Sequence, residues 1–94
     1  MDSQISLSDL ENVISEKVFI KIEKGNLYLG DAGLARHLAI ECISNKDQAP
    51  LEAAKLSLKA INVKIGDGVD SIPLIKLITK SQILELEEIL DSFF

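Results

Sequence analysis

Two periodicities divide the chain. Apolar residues three and four apart mark helix faces, and short β-branched runs of alternating polarity, each leading within three residues to a dipeptide that ends in glycine (Lys24-Gly25, Asp67-Gly68), mark hairpins. Leu10, Val13 and Ile14 share one face of a first helix, with Ser8 and Glu11 spaced as a capping box. That helix stops near Lys17. Its continuation would set Lys21 and Lys24 in the apolar stripe, whereas a strand from Val18 puts Val18, Ile20 and Ile22 on one side. A turn centred on Lys24-Gly25 then pairs Ile22 with Leu27 and Ile20 with Leu29, apolar opposite apolar.

Asp31 is the expected N-cap of a helix running to about Ser44, with Leu34, Ala35, Leu38, Ala39, Cys42 and Ile43 as its core stripe. Asn45-Lys46-Asp47-Gln48 is a polar linker, and Pro50 suits the first position of the next helix. This helix, from Leu51 to about Ile61, carries Leu51, Ala54, Leu58 and Ile61 on its main face. A weaker second stripe of Ala53, Leu56 and Ala60 predicts contact with more than one neighbour. In the second hairpin, a turn at Asp67-Gly68 sets Val63 opposite Ile72 and Ile65 opposite Asp70; a three-residue loop pairs Ile65 with Val69 and Lys64 with Asp70 instead. Pro73 belongs at a strand end or sheet edge. Leu74 to Ile78 reads as a short helical turn or an extended connector. Thr79 and Gln82 form a second capping box before a last helix with the stripe Ile83, Leu86, Ile89, Leu90, Phe93 and Phe94.

The predicted fold is therefore α+β and mainly helical, a two-layer domain in the order helix, hairpin, helix, helix, hairpin, helix. A small antiparallel sheet, into which the two hairpins could merge, is covered by helices. Ile20-Lys21-Ile22 aligns with Val63-Lys64-Ile65 and Gly25 with Gly68, but the flanking residues do not follow that offset, so no internal repeat is established.

Composition narrows the class. Ninety-four residues, 47% hydrophobic and 27% charged, suit a single compact domain over 1–94 that folds alone or as a small oligomer. The lone Cys42 closes no intrachain disulfide, and the N-terminus has neither a basic start nor an apolar signal core, so a soluble cytoplasmic protein is expected. No apolar run approaches the roughly 18 residues of a membrane span. A net charge of −5 opposes broad nucleic-acid binding, which depends on Lys and Arg neutralising phosphates. The charge is also uneven. From Ser81 onward there are four acids (Glu85, Glu87, Glu88, Asp91) and no base, while Lys55 to Lys64 holds three lysines and no acid.

Candidate chemistry is sparse. His37 and Cys42 are the only residues of their types, yet five positions on one helix point them about 140° apart, too far round to act as a catalytic pair. Cys42 instead falls in the core stripe. His37 lies one turn before Glu41, a spacing that suits a surface ion pair or two metal ligands, but no motif nominates the third ligand a catalytic zinc site needs. Gly66-Asp67-Gly68-Val69-Asp70 lacks the spaced oxygen ligands of an EF-hand and the lysine of a P-loop, and reads as a turn. Gly30-Asp31-Ala32-Gly33 reads as a strand exit and helix cap. No catalytic, cofactor or metal residue is nominated.

The more useful anomaly is in the last helix, where Leu84 falls outside the apolar stripe among Glu87, Glu88 and Asp91. With Phe93 and Phe94, and with Ile40 on the polar side of its own helix, it makes a candidate interface patch. Lys55 and Lys59, one turn apart, are candidates to meet Glu87 and Asp91 within the domain or across that interface. The expected function is a non-enzymatic interaction or accessory domain, binding a protein partner or a second copy through the C-terminal helix. The alternative is a small metal- or ligand-binding protein or enzyme using His37 and nearby carboxylates.

In Val18-Phe19-Ile20, Leu27-Tyr28-Leu29-Gly30-Asp31-Ala32, and Val63-Lys64-Ile65-Gly66-Asp67-Gly68 leading to Ile72-Pro73-Leu74, the chain resembles a small family of uncharacterised cyanobacterial proteins. The resemblance covers nearly the whole chain and implies no activity, so it transfers no functional residue. Bulky aromatic residues often stand in that family where this chain has Gly25-Asn26. This implies an alternative fold that is mostly α, with 18–29 helical and one hairpin at 63–74.

Overall fold

The computed structural model describes residues 6–65 and 70–94. In chain order the elements are α1 (Leu7–Lys17), β1 (Phe19–Ile22), β2 (Gly25–Tyr28), α2 (Leu29–Ala32), α3 (Ala35–Ser44), α4 (Pro50–Ala60), β3 (Asn62–Ile65), β4 (Asp70–Pro73), a 3₁₀ turn (Leu74–Leu77) and α5 (Lys80–Phe93). The fold is α+β, as the two periodicities predict, and β1-β2 pairing rules out the mostly-α alternative. The hairpins do not merge. Each stays a separate two-stranded antiparallel sheet, β1-β2 against α1 and α2, β3-β4 against α4.

Ser6, two residues before the expected cap, starts α1: its Oγ accepts from the Asp9 amide at 3.2 Å. Ser8 lies within the helix, and the Ser8–Glu11 box is not formed. The helix ends where the sequence demands. Val18 is extended (φ −101°, ψ 131°), fully buried, and its amide donates to the Ile14 carbonyl at 3.0 Å.

The first hairpin is shifted by two residues from the expected register. Ile20 faces Leu27 and Ile22 faces Gly25, so Glu23-Lys24 makes the turn and Gly25 opens β2 at φ +154°, a region glycine enters without strain. The base of the hairpin determines this. Leu29, the expected partner of Ile20, donates its amide to the Val18 carbonyl at 2.9 Å and is fully buried as the first residue of α2. A shift of two keeps each side chain on its own face, so Ile20 remains buried. Ile22, expected beside it, is exposed because the hairpin tip from Lys21 to Asn26 stands clear of the helices. On the opposite face Phe19 and Tyr28 pack edge to face, ring centroids 5.2 Å apart.

Asp31 is inside α2 and caps nothing. The helix expected from Asp31 to Ser44 is broken at Gly33, whose left-handed conformation (φ 75°, ψ 21°) closes α2 before α3 begins at Ala35. The predicted α3 stripe is borne out, with Ala35, Leu38, Ala39 and Cys42 buried and Leu34 and Ile43 partly so. Pro50 takes the first position of α4 as expected. Of the expected second stripe on α4 only Ala53 is buried; Leu56 and Ala60 face solvent, since α3 and α5 meet the helix on the face centred on Ala54, Ser57 and Leu58.

In the second hairpin Val63 faces Ile72 and Ile65 faces Asp70, the first of the two registers considered. The amide of Leu74 donating to the Ile61 carbonyl at 2.8 Å closes its base. Its turn, with Asp67-Gly68, lies outside the described residues. Pro73 ends β4. Thr79 caps α5, its Oγ1 accepting from the Gln82 amide at 3.3 Å, but the Gln82 side chain does not return to complete the box. It turns inward instead, and its Oε1 accepts the Phe19 amide at 3.0 Å, tying β1 to α5 across the core. Leu10, Ile14, Leu29, Leu38, Leu58, Leu86 and Leu90 are fully buried, so every helix contributes to one core cluster.

Candidate functional site

α5 packs against α4 and α1 through Leu86, Ile89 and Leu90. Its opposite face carries Lys80, Leu84, Glu88 and Asp91, all exposed, and Leu84 retains 43% of its surface. The four positions fall within roughly 80° of arc on a helix of 100° per residue. Phe94, expected in the buried stripe, is 37% exposed at the end of the helix, beyond the last turn that α4 and α1 can cover. Phe93 is half-buried. With Val13 of α1 and the buried Ile89 it supplies the apolar wall of an open groove of about 250 Å³, whose charged margin is Lys17, Glu85 and Glu88.

Ile40 is also exposed, but it stands on α3 among Arg36, His37 and Ser44, and α3 packs chiefly on α1 and α4. The patch expected from sequence therefore has Leu84, Phe93 and Phe94 on one element and Ile40 on another. Lys55 and Lys59 face solvent on α4. Among the described residues the ion pairs are Arg36–Glu11 at 3.2 Å and His37–Glu41 at 3.6 Å, and neither lysine pairs with Glu87 or Asp91.

His37 and Glu41 meet one turn apart with the His37 side chain 54% exposed, the arrangement of a solvated pair. Among the described residues no three His, Cys, Asp or Glu side chains gather in a group able to hold a metal ion. Cys42 is fully buried, and its thiol is pushed from 9.0 up to about 11 by desolvation, against a lowering hydrogen bond from Ser57; the Glu41 charge raises it further. A thiol so buried and so weakly acidic is no nucleophile at neutral pH.

That geometry has a measurable pH signature. Below pH 9.0 the thiol is neutral in both the folded and unfolded chain, and its burial stabilises fully. As pH rises the unfolded chain ionises first, so this contribution is lost at up to about 1.4 kcal/mol per unit until the folded thiol titrates near 11. Urea titrations at about pH 8 and about pH 10 should show a larger loss for wild type than for Cys42→Ala.

Two buried polar residues escape a periodicity search that counts only apolar letters. Ser57 is fully buried between α3 and α4, accepting from Asn45 Nδ2 at 3.2 Å while that nitrogen also donates to the Glu41 carbonyl at 2.9 Å. Gln82 is the other. Their spacing was the available signal, because Ser57 sits three residues after Ala54 and four before Ile61, and Gln82 four before Leu86.

A family model matches residues 7–93, from the first residue of α1 to the last of α5. The chain belongs to the DUF3181 family. The description of that family is "protein of unknown function", in keeping with the uncharacterised family that the sequence resembles. No curated protein and no solved structure matches the chain. Among the described residues of this DUF3181 chain no helix is long and apolar enough to cross a membrane.

Proposed function

We propose that the chain acts by binding, as one compact accessory domain that self-associates through the outer face of α5. The observation that carries this reading is Leu84, a leucine 43% exposed at the centre of a helix face that no other element covers among the described residues. Exposed Phe94 adds apolar surface at the end of the helix, about 80° round from Leu84, in line with the aromatic residues that anchor protein interfaces, whereas half-buried Phe93, about 180° round, faces the groove beside α1. Lys55 and Lys59 on α4, with Glu87 and Asp91 on α5, lie outside the ion pairs above and would steer approach of a second copy more than hold it. The buried free thiol and the resemblance to cyanobacterial proteins support a bacterial cytosol as the setting.

Light scattering across a concentration series tests the reading. Wild type should rise from the 10.3 kDa monomer toward twice that mass, and Leu84→Glu should stay monomeric while keeping its helical content. A wild type that remains a monomer at the highest concentration would remove self-association.

A further inference from the structure

The charges of α5 run against its own dipole. Aligned peptide units leave a helix positive at its N-terminus and negative at its C-terminus, so acids favour the first turn and bases the last. α1 obeys this, with Asp9 in its first turn and Lys17 in its last. α5 inverts it. Lys80 is its first residue, no acid lies in its first turn and no base in its last, and Glu87, Glu88 and Asp91 gather toward its C-terminal end. Among the described residues neither Lys80 nor Glu88 has an ion-pair partner. Leu84 lies midway between these two residues on the same exposed face.

We infer that α5 pairs antiparallel with α5 of a second copy about a twofold axis beside Leu84. This rests on the self-association proposed above and assigns its symmetry and register. Positions equidistant from Leu84 then face one another: Leu84 meets the partner's Leu84, and Lys80, four residues before it, meets the partner's Glu88, four residues after. The contact is isologous, so each ion pair forms twice. A parallel pair would instead set lysine on lysine and three acids on the same three acids. The antiparallel arrangement also brings the positive end of each helix beside the acidic end of the other, reversing the penalty each carries alone. A helix of 14 residues is about 21 Å long, a contact below the size of standard interfaces. The association is accordingly weak and salt-sensitive.

Charge reversal reads the register directly by sedimentation equilibrium in low salt. Lys80→Glu and Glu88→Lys, each alone, should lower the association constant about tenfold, since each replaces two attractive pairs by two repulsive ones. The double variant restores both side-chain pairs in reversed sense but not the complementarity of the helix ends, and should regain most of the association that either single variant loses, with the differences shrinking in high salt. All three variants change only exposed positions, and circular dichroism verifies that each folds. A dimeric wild type indifferent to both reversals, or a double variant no better than the singles, overturns the antiparallel register and leaves self-association standing. A monomeric wild type overturns both.

Discussion

Leu38→Ala should unfold at markedly lower denaturant than wild type, with a loss of about 2–5 kcal/mol. Leu38 is fully buried on α3, one turn before Cys42 and on the same face, where α3 meets the core. Truncation removes its transfer free energy and leaves a cavity that rigid helices on either side fill only in part. A domain of this size has a total stability of about 5–14 kcal/mol, so the loss is a large fraction of the total and the variant opens far more often. Cys42 reports those openings. Its thiol reacts with a solvent reagent only when the core is breached, so labelling should accelerate by the factor the equilibrium loss implies, whereas Leu84→Ala should change stability by no more than about 0.5 kcal/mol. Equal losses at the two positions would contradict the burial assigned to α3 and the exposure assigned to α5.

Gly30→Ala is expected to destabilise by about 1–3 kcal/mol, although Gly30 itself faces solvent. A Cβ there would lie 2.8 Å from Ser15 Cβ and 3.2 Å from both the Ser15 carbonyl oxygen and Oγ. Neither neighbour yields easily. The carbonyl is part of α1, and the Ser15 hydroxyl is held by its bond to the Glu11 carbonyl at 2.8 Å. The added methyl therefore pushes α2 off α1 and disturbs the buried Leu29 beside it. Gly25 and Gly33 are different: a methyl added at either would meet no atom within 4 Å, but both have positive φ angles, so substitution there strains the backbone alone. Pairing Gly30→Ala with Ser15→Gly removes the nearest clash, and in a double-mutant cycle the two changes should couple favourably. Additive losses would show that the approach of α2 to α1 is looser than these distances.

The end of α1 was legible along the chain because only a change of period at Val18 keeps Lys21 and Lys24 out of an apolar stripe. The faces of α3 and α5 followed from spacing, as did the exposure of Leu84, since 100° per residue is a property of the backbone alone. The hairpin register did not follow. Glycine after a strand predicts a turn, but the ladder was set from the other end, by Leu29 bonding to Val18 and entering the core. Thr79 caps α5 as its place before the stripe predicts, but the caps expected at Ser8 and Asp31 failed for a related reason: Ser6, Ser8 and Asp31 all have the chemistry to cap, and which of them does so depends on where the neighbouring element lets the helix begin.

The linear pattern of this chain determined its α+β class, the alternation of helices and hairpins, and the principal helix faces, because each rests on local geometry and residue type. Tertiary structure alone decided that the hairpins stay apart, that Gln82 leaves its cap to hold the Phe19 amide, that Ser57 lies buried beside Cys42, and that Ile40 and Leu84 belong to different helices' outer faces. Those outcomes hinge on contacts between residues as far as 63 positions apart, and such contacts are chosen by competition for one shared core, which no periodicity along the chain encodes.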